Sequence, residues 1–324
     1  MMLGLRFDLR NPAFAGVSAS ERLRAAVDMA AWADERGGVA VSVSEHHGSD
    51  DGYLPSPLLF AAAVAARTSN VRIAIGALIA PFYDPLRLAE DLAVLDGLSE
   101  GRVDLVLGGG YVADEFEMFG VPIAERGRRT TEVVETLRQA WTGEPFEYRG
   151  RTVQVTPVPH RPGGPPLVLG GSSDVVARRA ARIADGFAPV SGDCWPAYRD
   201  ECVALGKPDP GPSMHPGSMV TTFLAEDPAE AWERLVPYFL HETNAYGAWL
   251  DDAGLEGPYK VTTAERVRVD GQYRILTPDA YADELRAMGE GAFAFFHPMV
   301  GGIPPAMAWE CLHLYEAQVL PALA

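Results

Sequence analysis

The sequence predicts an α/β protein of the (β/α)8 barrel class, carrying insertions. Three observations predict it: short β-branched runs alternate with longer stretches of helical period, the alternation reaches eight strands, and no antiparallel edge signal breaks the count. With 324 residues, 48% of them hydrophobic and 22% charged, the chain has the apolar material for a large core. It reads as a single domain over residues 1–324, with insertions at about 143–166 and 251–275.

The first strand is Leu3 to Asp8, and Ser18 or Ser20 opens a helix that places Leu23, Val27, Ala30 and Ala31 on one face until Gly37-Gly38 stops it. Strand two, Val39 to Ser44, is followed by a helix at about Pro57 to Thr68. Strand three, Val71 to Ala80, precedes a helix from Asp84-Pro85 to Leu98. Strand four is Arg102 to Leu107, and a helix from about Arg128 to Trp141 closes the first half. The proline-rich stretch Gly143 to Pro166 interrupts the rhythm and reads as a β-hairpin excursion. Strands five and six are Leu167 to Leu169 and Phe187 to Val190, with helices over Asp174 to Ala184 and about Trp195 to Leu205. Strand seven is Ser218 to Leu224, Pro228 to Trp249 gives one or two helices, and Asp251 to Ile275 is a less regular insertion. Strand eight is Ala292 to Phe296, and the last helix, about Pro305 to Val319, ends at Pro321.

Charge excludes one large class of partner. There are 27 Lys and Arg against 44 Asp and Glu, a formal net charge of -17, which repels a polyanion and makes DNA and RNA poor partners. No apolar run approaches the roughly 18 residues of a membrane span, and the first ten residues lack a secretory pattern. Cys194, Cys202 and Cys311 are odd in number and lack CxxC spacing, so neither a disulfide framework nor a metal site is expected and a reducing cytoplasm fits.

In a barrel the loops after the strands form the active face, so residues just beyond each strand carry the chemistry. Glu45-His46-His47 follows strand two. Two adjacent histidines on a continuing strand point in opposite directions, so at most one faces the mouth, where an imidazole can bond a cofactor or shuttle a proton; a satisfied structural histidine is the alternative. Gly76-Ala77 and its neighbours at the end of strand three permit close approach of a flat ring, as ordinary packing also would. Gly108-Gly109-Gly110-Tyr111 clears side chains after strand four, for a ligand or a turn, and lacks the GxGxxG spacing of a dinucleotide site. Gly171-Ser172-Ser173 leads directly into a helix at Asp174, giving either a phosphate cradle or a plain helix cap. Arg6, Asp8, Arg10, Asp193 and His297 are lesser candidates, and Cys194 is set aside for want of a helix-terminal setting with a basic neighbour.

Taken in order, Ser44 to His47, Gly76 to Pro81 with Asp84-Pro85, Ala89-Glu90-Asp91, Leu95-Asp96 with Ser99 to Arg102, Gly108 to Tyr111 with Asp114-Glu115-Phe116 and Phe119-Gly120, and Pro166 to Ser173 resemble the bacterial luciferase-like flavin-dependent monooxygenases and their deazaflavin-using relatives. The resemblance implies a barrel with flavin across its C-terminal mouth and a homodimer built on the second and third helices, with His47 and Glu90 near that interface. It implies His46 as the acid/base or substrate contact and Gly76-Ala77 as a cis peptide under the ring. Gly108 and Tyr111 would then line the flavin, and Gly171, Ser172 and Ser173 would receive its phosphate. Gly109 stands where luciferase has a phosphate-contacting arginine and Gly108 where it has a cysteine, so light emission is not implied. A flavin held without that charge fits one borrowed from a separate reductase.

The function expected is oxygenation of a small organic substrate by reduced FMN and O2. The alternatives are hydride transfer with F420 and a flavin-binding homologue without catalysis. The two insertions are expected to set specificity.

Overall fold

In the computed structural model, residues 2–190, 192–213 and 220–323 are described. Strand β1 (Met2–Phe7) leads to helix α1 (Ala19–Glu35), whose N-terminus is capped by Ser18 accepting from the Glu21 N–H. Then come β2 (Gly38–Val43), α2 (Pro57–Arg67), β3 (Arg72–Ile79), α3 (Pro85–Leu98) and β4 (Val103–Gly108). Asp84 caps α3 through the N–H groups of Leu86 and Arg87, and Pro85 occupies the first helical position, where its missing N–H costs nothing.

Helix α4 (Ala113–Met118) is absent from the sequence expectation because six residues are too few to show a helical period. Helix α5 (Arg126–Ala140) follows, and the excursion is the expected hairpin, β5 (Phe146–Tyr148) antiparallel to β6 (Arg151–Val153). Next are β7 (Leu167–Gly171), α6 (Asp174–Ile183), β8 (Gly186–Pro189) and α7 (Trp195–Ala204). Strand β9 is Thr221–Leu224, and the start expected for it at Ser218 lies outside the described residues.

Helix α8 (Pro228–Asp252) is one helix of 25 residues. Pro237 lies inside it without ending it, because Leu235, Val236, Phe239 and Tyr246 on either side are buried and their packing outweighs the roughly 3 kcal/mol such a proline costs. The second insertion is more regular than expected: after the short α9 (Ala264–Val267) it contains β10 (Tyr273–Leu276), parallel to β9 in the register Tyr273 to Thr221 through Leu276 to Leu224. The chain closes with α10 (Pro278–Met288), β11 (Phe293–Phe296), α11 (Pro305–Leu314) and α12 (Leu320–Leu323). A π turn over Tyr315–Val319 joins the last two, so the helix runs past Pro321 rather than ending there.

The chain groups into two compact units. One comprises Met1–Val43, His47–Pro55 and Ser218–Ala324; its strands are all parallel, in the order β10-β9-β11-β1-β2. Its core includes Leu5, Phe7, Val41, Phe239 and Phe296. The other comprises Ser44–His46 and Ser56–Gly217, with parallel strands in the order β3-β4-β7-β8. In β4 burial alternates, with Val103, Leu105 and Leu107 buried and Asp104, Val106 and Gly108 on the other face, as a strand with period two requires.

Register in the second unit positions its strand ends. Ile79 pairs with Gly108, Gly108 with Gly170, and Gly171 with Pro189, so the C-terminal ends of β3, β4, β7 and β8 finish side by side. Among the described residues no helix is long and apolar enough to cross a membrane.

Candidate active site

His46, Gly76, Ala77, Gly108, Tyr111, Gly171, Ser172 and Ser173 all fall in the unit that carries β3, β4, β7 and β8. Strand β2 ends at Val43, so Ser44 to His47 form a loop and the opposed orientation expected of two histidines on a continuing strand does not arise. Three consecutive residues of this loop take three different partners. The Ser44 hydroxyl donates to the Gly76 carbonyl at 2.7 Å. Glu45 is buried and clamps the loop to the end of β3, its Oε2 accepting from the Ile79 N–H at 2.7 Å and its Oε1 from the Tyr83 hydroxyl at 2.9 Å. Burial and the Glu45 charge both push the Tyr83 phenol up, so it stays a neutral donor.

His46 is buried, and its Nδ1 lies 2.8 Å from Oε1 of the equally buried Glu115. An ionised carboxylate only accepts, so Nδ1 carries the hydrogen and proton exchange falls to Nε2. The edge of the ring meets Tyr111, with centroids 5.8 Å apart and planes at 85°. Glu115 was visible in the sequence only as one of two adjacent acids. Helix α4 decides which of Asp114 and Glu115 is buried, and so which one orients His46.

The glycines divide by what a side chain would meet. The Gly76–Ala77 peptide is cis, and a Cβ built on Gly76 meets nothing within 4 Å. Gly109 is equally open. At Gly108 a Cβ would lie 3.0 Å from the Ala77 Cβ, so this glycine serves strand packing. Gly110 has φ +71° and a Cβ there would come within 2.9 Å of Ile79 and Phe116, so both conformation and space require glycine. Gly171 likewise has Val176 at 2.6 Å from its Cβ position.

Ser173 is the cap of α6, accepting from the Val176 N–H at 3.5 Å. Ser172 is exposed, and its hydroxyl makes no hydrogen bond among the described residues. Arg178 and Arg182 both face Glu201, at 3.7 and 2.7 Å. Cys194 corrects an expectation: it does stand at the start of a helix, α7, but it is buried, and burial together with Asp174 and Asp193 pushes its thiol up, against a nucleophile.

The lesser candidates Arg6, Asp8, Arg10 and His297 lie in the other unit, the last three buried and Arg6 half-buried. His297 presents Nε2 to Asp8 at 3.7 Å and Nδ1 to Glu242 at 3.6 Å. One atom from each of the three lies within 4.8 Å of the others, yet the two carboxylates approach different ring nitrogens and Arg10 stands 3.8 Å from Asp8, an arrangement that suits an imidazole between two acids and not a cation.

The profile of the luciferase-like monooxygenase family matches residues 6–293. The chain belongs to this family. Among solved structures, the monooxygenase RslO1 of Streptomyces bottropensis is 27% identical with a TM-score of 0.75, each chain covered over its full length. The oxygenating constituent of 3,6-diketocamphane monooxygenase from Pseudomonas putida, in complex with FMN, is 22% identical with a TM-score of 0.70, with 100% of this chain and 99% of that one covered. These likenesses assign this luciferase-like protein the barrel class that its β/α alternation predicts. Among curated relatives, the F420-dependent glucose-6-phosphate dehydrogenase of Nocardia farcinica is 33% identical over 205 residues, 59% of this chain and 61% of that protein. The luciferase-like chain spans about half to three-fifths of the length of the curated relatives it matches. Monooxygenases and F420-dependent dehydrogenases are both among its relatives.

Proposed function

We propose that this protein is a flavin-dependent monooxygenase that uses reduced FMN and O2 to oxygenate a small organic substrate. The observation that carries the reading is the buried His46–Glu115 pair, standing in the same unit as a row of strand ends with small residues and open space above Gly76. The residues fit the group. Gly76 and Ala77 offer a flat backing for its ring, Gly108 and Tyr111 its flank, and Gly171, Ser172 and Ser173 the N–H groups and a hydroxyl for its phosphate at the start of α6. Bound FMN supplies the redox chemistry. His46 holds or moves a proton at Nε2, Glu115 fixes the ring through Nδ1, and burial of both keeps water from that proton path.

The dehydrogenase relative supports a second reading, hydride transfer with F420. Anaerobic equilibrium titration with reduced FMN and reduced F420, followed by admission of O2, separates the readings. Binding of FMN with substrate-stimulated oxygen uptake supports the monooxygenase, binding of F420 alone supports hydride transfer, and tight flavin binding without stimulated uptake marks a homologue that only holds the cofactor. Under the first reading a separate reductase supplies the reduced flavin, and the protein works in the cytoplasm as a homodimer.

A further inference from the structure

Arg6 lies on β1, in the unit of β1, β2 and β9 to β11, and its charge has no direct counter-ion. Its two hydrogen bonds run from Nη1 to the Tyr259 hydroxyl and from Nη2 to the Tyr246 hydroxyl, both at 3.3 Å. A guanidinium has five N–H groups, so three are left without a partner among the described residues, and no carboxylate there approaches within 4.0 Å. Neighbouring cations in the same unit are treated differently: Arg10 pairs with Asp51 at 2.5 Å, and Arg22 donates to the carbonyls of Ile303 and Gly302.

The phenols beside Arg6 do not supply the missing charge. Burial pushes Tyr246, Tyr259 and Tyr53 all upward, so each remains neutral. Glu242 acts on Arg6 only at longer range, since its Oε2 accepts from the Tyr273 hydroxyl at 2.7 Å and its Oε1 faces His297. The surroundings are aromatic and ordered: Tyr246 and Tyr259 stack with centroids 4.5 Å apart and planes at 20°, and Tyr246 is tied to Tyr53 by a 2.7 Å hydroxyl contact. Arg6 itself keeps part of its surface exposed.

We propose that Arg6 is the anchor of an organic-anion site in this unit, taking the carboxylate of a planar, unsaturated or aromatic acid. The planar guanidinium fork matches a carboxylate with two parallel N–H groups, which a phenol pair cannot do, and Tyr259, half-buried where its stacking partner Tyr246 is buried, is the aromatic side chain beside Arg6 that the rest of such a molecule can meet. Calling that acid the enzyme's substrate rests on the oxidoreductase reading above; the binding itself rests on this unit's residues.

Titration calorimetry on the full chain, without cofactor, tests it with benzoate, its uncharged analogue benzamide, and inorganic phosphate. Benzoate is expected to bind, benzamide and phosphate at least tenfold more weakly, and Arg6→Gln to weaken benzoate at least tenfold. Arg6→Lys, which keeps the charge and protects against the risk that the glutamine variant fails to fold, is expected to retain salt-sensitive binding of intermediate strength. Equal affinity for benzamide, equal affinity in a folded Arg6→Gln, phosphate binding as tightly as benzoate, or no benzoate binding in the parent protein each overturns the proposal. Parallel titration of the same proteins with reduced FMN and reduced F420 keeps the two readings apart: a protein that binds benzoate but takes up neither cofactor sinks only the oxidoreductase reading.

Discussion

The Nδ1 of His46 and the Oε1 of Glu115 stand 2.8 Å apart with both side chains buried, although 69 positions separate them in the chain. A carboxylate in that place fixes the tautomer of the ring and stabilises the imidazolium when it forms. Replacing Glu115 by Gln keeps the shape and removes the charge. Turnover of the reduced cofactor in Glu115→Gln is expected to fall about a hundredfold, with cofactor affinity within a few-fold of the parent. Steady-state rates and a binding titration check it, and an unchanged rate would remove the pair from the mechanism.

Ser172 and Ser173 are adjacent but do different things, which makes them separable. Ser172→Asp places a negative charge beside the start of α6 without touching the cap, so it is expected to weaken FMN or F420 binding at least tenfold by repelling the phosphate while leaving the melting temperature nearly unchanged. Ser173→Ala removes the cap and is expected to cost about 1 kcal/mol of stability by denaturant unfolding.

Asp51 links two partners, Arg10 at 2.5 Å and His241 at 2.7 Å. Burial opposes its ionisation, but the His241 hydrogen bond and the Arg10 charge outweigh that and hold it below the usual carboxylate range. A carboxyl lowered in the folded state contributes stability above its unfolded value, about 4, and loses it as pH falls through the folded value. Asp51→Asn is therefore expected to cost about 3 kcal/mol at pH 7, where it leaves a buried guanidinium short of a partner, and the gap from the parent should narrow below about pH 4. A gap that does not change with pH would show that the loss is packing alone.

Leu59 on α2 is 75% exposed, and Val94 and Leu98 on α3 are 56% and 47% exposed. Apolar side chains gathered on two neighbouring helices are what a self-association surface requires. Light scattering is expected to show a dimer for the parent and a monomer for Leu59→Glu combined with Val94→Glu; a double variant that stays dimeric would move the interface elsewhere.

Much of the fold was legible, for reasons that can be named residue by residue. The β-branched strands, the caps Ser18 and Asp84 with its Pro85, and the Gly-Gly stop after α1 are local signals, and α1 to α3 fall within a residue or two of where those signals place them. Helix α4 was not legible because six residues carry no period. Strand β10 was missed because Tyr273 to Leu276 is a four-residue run inside a stretch of mixed polarity, and only its pairing with β9 makes it a strand. Pro228 to Trp249 was legible as one or two helices, and packing on both sides of Pro237 makes it one.

The order of β/α units and the identity of the residues gathered after each strand were determined by the sequence, because hydrophobic period and capping act over a few neighbours. The assignment of partners was decided only by the tertiary structure. Which of Ser44, Glu45 and His46 would brace a peptide, clamp a loop or meet Glu115, and that Arg6 would meet two phenols in place of a carboxylate, depends on strand register and on side-chain directions fixed between segments far apart in the chain.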